Sequence, residues 1–285
     1  MNCSAKILHA YNVTGYYDGE GCFNVSIYKN SKMKSGYSVT FSVEFKQHSN
    51  SNSINVLYLL KEFFNDKGHI SFSNKEKTIA RYKISNLNDI VNLILPHFEN
   101  YPLVTSKYLN FLDFKKAILF IKSGEHLSSD GIIKLREIIS KMNTNRSFSD
   151  KWTFCFNQAS NIKIKPEWIQ SFSDGEGNFN FHIREKGNSF VCAFNIYQNV
   201  HDYHILKLIL ILILNYFEAG KIYPSNIDGS FKSANNFYIE NKNKGKGCAI
   251  SFTINNRELC KEKIIPFFNI LYLLLSLMIL QIEKI

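Results

Sequence analysis

Asp18-Gly19-Glu20-Gly21-Cys22-Phe23, followed by Val25 and Ile27, returns later in the chain as Asp174-Gly175-Glu176-Gly177-Asn178-Phe179, followed by Phe181 and Ile183. Each copy heads one half of the 285 residues. In each, a carboxylate pair stands between glycines, after an apolar run and before an alternating one. A lone Asp-Gly-Glu-Gly reads as a turn with solvated acids. Repetition with matched flanks changes that reading. Gly and Asp can recur for backbone reasons, whereas a Glu kept at the same place twice calls for a chemical role.

The flanks repeat as well. Leu8–Tyr17 and Glu167–Ser173 read as helices that deliver the acidic turns. Strands follow at Asn24–Lys29 and Phe179–Arg184, polar loops at Asn30–Gly36 and Glu185–Asn188, and returning strands at Tyr37–Gln47 and Phe190–Gln198. The period-2 alternation carries these assignments. Helices then fit Ile54–Phe64 and His204–Phe217, and strands open at Gly68-His69-Ile70 and Gly220-Lys221-Ile222. Further strands fit Ile79–Ile84 and Cys248–Ile254, and helices run from Leu87 toward Pro96 and from Arg257 toward Pro266.

The expected fold is α+β. It consists of two pseudo-twofold-related αββαββα halves with antiparallel, saddle-shaped sheets, the motif helices lying at the interface between them. The halves are expected at 1–123 and 166–285, with a connector at 124–165. Within the connector, Ile132–Met142 has helical spacing, and the polar Asn143–Lys151 is expected to be a flexible boundary. Gly15 and Gly19 lie four apart, as do Ser171 and Gly175, so small residues share one helix face and allow close helix approach. Packed side by side, such helices would bring Glu20 and Glu176 together at their C-terminal ends. Two carboxylates with helix-end carbonyls make an oxygen-rich site suited to Mg²⁺. A pair of such ions can act on a phosphodiester.

Composition agrees with a polyanionic partner: the net charge is +10 and the pI about 9.2. The 45% hydrophobic content is enough for a sizeable core. The six cysteines have neither Cys-x-x-Cys pairing nor zinc spacing and read as reduced thiols of an intracellular protein. Met1–Lys6 lacks a secretory pattern. Two apolar stretches, Ile205–Phe217 and Ile264–Ile282, read as core rather than membrane: the first is too short to span, and Pro266 and Asn269 interrupt the second. The richness in Ile, Asn, Lys, Phe and Tyr fits an A/T-rich genome such as an organelle's.

Through Val13–Gly21 and Ile169–Gly177 the chain resembles the double-motif LAGLIDADG homing endonucleases of organellar introns. The resemblance extends over His97-Phe98-Glu99-Asn100-Tyr101-Pro102-Leu103, Lys107 and Glu125-His126-Leu127 with Gly131. It implies a monomeric, Mg²⁺-dependent enzyme that cuts both strands of a double-stranded DNA target and works in the mitochondrion, or alternatively the chloroplast. It implies that Glu20 and Glu176 hold two or more divalent ions together with the carbonyls of Gly19 and Gly175. Gln47 and Gln198 would order water, and Lys107 would polarise solvent or steady charge at the scissile phosphate. DNA contacts would come from the first hairpin (Ser26, Tyr28, Lys29, Lys32, Lys34, Tyr37, Thr40, Ser42, Glu44, Lys46) and the second (Asn180, His182, Arg184, Lys186, Asn195), alternating with core-facing residues.

The second half departs from the pattern near its end. Leu277 stands where the counterpart of Lys107 is expected, within the apolar run Ile270–Leu280. Either this end is truncated or altered, or a natural apolar helix closes the core. Two rival functions stay open in the sequence: an RNA-binding maturase acting on its host intron RNA, and a decayed endonuclease that only binds DNA.

Overall fold

A computed structural model describes residues 8–49, 54–72, 76–147, 149–151, 153–154, 164–184, 189–199, 202, 205–209, 211–212, 219–224 and 249–270. The chain divides into two compact units. The first comprises Met1–Leu103 and Lys107–Ser147, the second Val104–Ser106 and Phe148–Ile285.

In the first unit, helix α1 (Ala10–Glu20) leads into strands β1 (Gly21–Lys29) and β2 (Tyr37–His48). Helix α2 (Asn55–Phe63) precedes β3 (His69–Phe72) and β4 (Ile79–Ile84). The four strands form an antiparallel sheet ordered β1-β2-β4-β3. One face is apolar and buried: Phe23, Val43, Phe45, Tyr82 and Ile84 are each at most 1% exposed. Aromatic rings fill the space behind it. The Tyr17 ring lies 4.6 Å from Phe23 and 4.7 Å from Phe98, and Phe23 lies 4.8 Å from Phe114. That face of the sheet is therefore covered, and the other face is polar.

Asn86 then caps a short helix, α3 (Leu87–Asp89), by accepting from the Asp89 N–H at 3.1 Å. A π turn (Ile90–Ile94) joins α3 to α4 (Leu95–Asn100), which carries Pro96 in its first turn. Proline has no N–H and its ring crowds the carbonyl of the preceding turn, so the wider π turn accommodates it. His97 is buried in α4. The Thr14 hydroxyl donates to the Tyr101 carbonyl at 2.9 Å, so at 3.3 Å from His97 Nε2 it accepts the ring N–H. Helices α5 (Lys107–Lys122) and α6 (Ser129–Ile139) complete this unit.

The segment after α6 corrects one expectation. Asn143–Arg146 is clamped, not loose. Asn143 donates from Nδ2 to the Phe23 carbonyl at 2.7 Å and from its backbone N–H to Asn110 Oδ1 at 3.0 Å. The Arg146 guanidinium reaches the Leu109 carbonyl at 3.3 Å and pairs with Asp113. The polar composition that suggests a linker instead supplies donors to α5 and β1.

The second unit repeats the scheme: α7 (Pro166–Glu176), β5 (Gly177–Arg184), β6 (Ser189–Asn199), β7 (Lys221–Pro224) and β8 (Ala249–Ile254). Its sheet has the equivalent order β5-β6-β8-β7, again antiparallel. Between β6 and β7, residues 205–209 are helical, with Ile205, Leu206 and Ile209 buried and Lys207 exposed, as a core helix requires. Gly68 (φ +74°) and Gly220 (φ +112°) open β3 and β7 in the left-handed region that favours glycine. Asn256 caps α8 (Arg257–Leu259) as Asn86 caps α3. A second π turn (Cys260–Ile264) again precedes a proline, Pro266, in α9 (Ile265–Ile270). Phe179 lies 4.8 Å from Phe194 and 5.3 Å from Phe268. The loop expected at Glu185–Asn188 and the apolar run after Ile270 lie outside the described residues. Among the described residues, no helix is long and apolar enough to cross a membrane.

Candidate active site and nucleic-acid interface

Both motif helices run farther than the sequence suggests. The helices expected to end at Tyr17 and Ser173 continue to Glu20 and Glu176, and the strands start immediately afterwards at Gly21 and Gly177. The cap N–H of Gly21 donates to the Tyr17 carbonyl, and that of Gly177 to the Ser173 carbonyl. A Cβ on Gly21 would fall 2.3 Å from the Tyr17 ring, and one on Gly177 would fall 2.4 Å from the Ser173 carbonyl oxygen. The ninth position of each motif is glycine because the strand leaves the helix directly across its last turn. The two acids thus stand at the C-terminal tips of their helices.

At the first tip, Glu20 is half-buried. Burial raises its pKa, opposed by Lys107, His48 and Lys46 in that order. Lys107, the first residue of α5, donates from Nζ to the carbonyls of Gly19 at 2.5 Å and Tyr17 at 3.2 Å. The Gly19 carbonyl expected to face a metal therefore already holds a cation. This donor set, a half-buried carboxylate beside helix-end carbonyls that accept an ammonium, fits a hard divalent ion that keeps part of its water. Among the described residues there is no cluster of three or more His, Cys, Asp or Glu side chains that could hold a metal by itself. Gln47 is half-buried on β2, and its Oε1 accepts the His48 N–H at 2.8 Å. His48 was not singled out by the sequence, and no spacing rule points to it. Asp18 is buried at 2% exposure.

In the second unit, Glu176 and Gly175 are half-buried at the tip of α7. Asp174 is part-exposed as a residue, yet its Oδ2 is shut off from solvent, and burial raises its pKa well above the usual carboxylate range. Gln198 is buried, 9% exposed, on β6.

The polar face of the first sheet follows from its register. Asn24 opposes Ser42, Ser26 opposes Thr40, Glu44 opposes Lys83, and Lys46 opposes Arg81. These residues line a groove of about 270 Å³. Glu44 is only 5% exposed. Its carboxylate accepts from Ser42 Oγ at 2.9 Å and pairs with Arg81 at 3.0 Å and Lys83 at 3.4 Å. It is a buried counter-ion rather than a projecting contact. Arg81 and Lys83, which the sequence reading missed, carry the positive charge of the groove together with the exposed Lys46. The alternation Arg81-Tyr82-Lys83 in β4 was the available signal.

Tyr28 is half-exposed on the polar side, and Lys32 and Lys34 are exposed in the hairpin turn. Lys29 and Tyr37 pair with each other at the hairpin end on the opposite face. The Tyr37 ring is covered by the Arg136 guanidinium, 4.6 Å from its centroid. Alternation therefore separates these two from Ser26 and Thr40.

On the second sheet, Asn178 opposes Asn195, which opposes Thr253, and Tyr197 opposes Ser251. Asn195 is buried, Asn180 half-buried, and Tyr197 and Tyr223 are each 42% exposed. His182 and Arg184 are on β5, and their side chains lie outside the described residues, as does Lys186 altogether.

A four-stranded antiparallel sheet, buried on one face and polar on the other, with an acid-tipped helix leading into its first strand, is thus built twice. The likeness to known proteins follows this pattern. Residues 13–118 match the LAGLIDADG endonuclease family. "Probable intron-encoded endonuclease 3" of Neurospora crassa is 27% identical over 264 residues, 90% of this chain and 45% of that protein. "Probable intron-encoded endonuclease 2" of the same fungus is 28% identical over 227 residues, 74% of this chain and 48% of that protein. The chain therefore spans about half the length of these curated relatives. Among solved structures, I-GzeII in complex with its DNA target has a TM-score of 0.71 at 28% identity, covering 93% of this chain and 84% of that one. I-SmaMI bound to cleaved DNA has a TM-score of 0.71 at 26% identity, covering 94% and 84%. I-SmaMI has also been solved on uncleaved DNA in the presence of calcium ions, with a TM-score of 0.72 at 26% identity, covering 93% and 85%. The fold is that of the two-motif LAGLIDADG meganucleases. The chain resembles the LAGLIDADG endonuclease family, whose model residues 13–118 match.

Proposed function

We propose that this chain is a site-specific, double-stranded DNA endonuclease of the homing type, working as a monomer in the mitochondrion. The observation that carries the reading is the repeated glutamate, Glu20 and Glu176, at the tip of a motif helix beside a polar-faced sheet. The mitochondrial assignment is supported by fungal relatives named as intron-encoded endonucleases and by a further relative, the "uncharacterized mitochondrial protein RF1" of Saccharomyces cerevisiae.

In this reading Glu20 and Glu176, with the Gly19 and Gly175 carbonyls, hold Mg²⁺. Bound there, the metal would activate water and stabilise the leaving oxygen. Gln47 and Gln198 orient solvent. Lys107 supplies positive charge to the scissile phosphate. Lys46, Arg81 and Lys83 in the first sheet meet backbone phosphates, while Ser26, Tyr28, Thr40 and Ser42 there, and Asn180 and Asn195 in the second, face base edges. The turn lysines, Lys32 and Lys34, reach the DNA beyond the sheet. Glu44 acts through the cations that it holds. His182, Arg184 and Lys186 extend the second contact surface.

The test is cleavage of the intron-lacking junction of the host gene. Glu20→Gln should abolish cutting in Mg²⁺ while leaving binding to the same duplex within a few-fold. Cutting at the wild-type rate by that variant would sink the reading.

A further inference from the structure

We propose that Lys107 is a positioning residue that keeps the place of a divalent cation at the tip of α1, its ammonium holding the Gly19 carbonyl until a metal ion takes that oxygen over. The inference rests on the metal-dependent reading above. It begins from a coincidence of oxygens. The carbonyl expected to ligate metal, that of Gly19, accepts from Lys107 Nζ at 2.5 Å, and the same ammonium reaches the Tyr17 carbonyl at 3.2 Å. Among the charges that offset the burial of Glu20, Lys107 is the largest. One ammonium is thus shared by two helix-end carbonyls and stands close to the acid of the motif.

A helix C-terminus attracts positive charge, and its free carbonyls need donors. A hard divalent ion seeks the same oxygens. An ammonium and a dication on one carbonyl repel each other, so they exchange rather than coexist. The backbone of Lys107 is fixed, because α5 buries Phe111 and Phe114. Its four-carbon stem is flexible, so the exchange moves the ammonium alone and leaves the helix in place. Metal-free protein thereby keeps the tip of α1 ordered, and the displaced ammonium becomes available to an anion such as a phosphate.

A merely structural lysine would cap α1 and nothing more. The two roles separate in a Mn²⁺ titration of this 285-residue chain without DNA, read from the electron paramagnetic resonance signal of the free aquo ion. If Lys107 competes for the Gly19 carbonyl, Lys107→Met binds Mn²⁺ more tightly than wild type by about tenfold. Lys107→Arg, which keeps charge and donors, should stay near wild type. Lys46→Met removes another cation felt by Glu20 that makes no bond to Gly19, and should tighten binding much less. Equal or weaker Mn²⁺ binding by Lys107→Met overturns the proposal. So does an equal effect of Lys46→Met, which would reduce the effect to general charge. If Glu20→Gln binds Mn²⁺ as wild type does, the metal reading itself fails, an outcome distinct from the other two. A melting curve of Lys107→Met without metal reports the capping contribution separately.

Discussion

Glu44→Gln tests the groove of the first sheet most directly. The wild-type carboxylate is 5% exposed and meets Arg81 at 3.0 Å, Lys83 at 3.4 Å and Ser42 Oγ at 2.9 Å. Removing one partner of a fully buried pair costs about 3–5 kcal/mol. Exposed pairs contribute at most about 1 kcal/mol. Here the acid is buried while the Arg81 and Lys83 side chains are 32% and 35% exposed, so solvent screens the cations. Glutamine also keeps the volume and an acceptor. The expected loss is about 1–2 kcal/mol of stability, read by urea denaturation. The same change removes one negative charge from the groove, taking the formal net charge from +10 to one unit higher. Each cation that gains a phosphate steepens the slope of log affinity against log salt by about 0.9. Glu44→Gln should therefore steepen that slope by about 1. On a non-specific duplex, the affinity ratio between 50 and 200 mM salt should grow about threefold, measured by fluorescence anisotropy. A loss of stability with an unchanged salt slope would refute the argument, because Arg81 and Lys83 would then not face phosphate.

Three further outcomes concern the scaffold. Gly21→Ala places a Cβ 2.3 Å from the ring of the fully buried Tyr17, so it should destabilise the first unit by about 1–3 kcal/mol and lower its melting midpoint; an unchanged midpoint would contradict the close approach. The Tyr17 hydroxyl is buried with no hydrogen-bond partner among the described residues, so Tyr17→Phe should raise stability by about 1 kcal/mol; a loss in urea denaturation would reveal a partner. Burial among aromatic rings lowers the His97 pKa from 6.5 to about 3, so the fold favours the neutral ring. That contribution is fully present above pH 6.5 and is lost as the pH falls toward 3, by about 1 kcal/mol between pH 7 and 5.5. His97→Gln should flatten this step in denaturation curves at the two pH values.

The repeat, the two αββ openings and the acid at each helix tip could be read from the sequence because they rest on local rules. Alternation gives strands, and glycine marks a close approach. What could not be read was non-local. Asp18-Gly19-Glu20-Gly21 looks like a turn, yet α1 continues through Glu20. Part of the support lies far along the chain: Lys107 supplies a donor to the Gly19 carbonyl, which the helix end would otherwise leave without one, and a second donor to the Tyr17 carbonyl, already bonded by the Gly21 N–H. Asn143–Arg146 has the composition of a linker, and only the placement of Asn110, Asp113 and the Phe23 carbonyl turns it into a clamp. Glu44 alternates like a surface residue. Its burial depends on Arg81 and Lys83 arriving from β4.

The two halves repeat their scaffold but not their faces. Phe23 and Phe179, Gly21 and Gly177, Asn86 and Asn256, and Pro96 and Pro266 recur because each answers a demand of packing, close approach or capping that the fold imposes twice. The face positions answer no such demand. Where the first sheet sets Glu44 against Lys83 and Lys46 against Arg81, the second sets Asn195 against Thr253 and Tyr197 against Ser251. At these four positions the first face is ionic and the second neutral, although Lys221 opposes Thr253 at the edge of the second. Cations engage phosphates as point charges, whereas amides and hydroxyls discriminate donors from acceptors on base edges. A chain duplicated in its core and diverged on its surface is suited to a target whose two halves differ. On this argument the centre of the first sheet, with Glu44, Lys46, Arg81 and Lys83, is where phosphate charge would be met, and the equivalent centre of the second, with Asn195, Tyr197, Ser251 and Thr253, would suit donor–acceptor recognition of base edges.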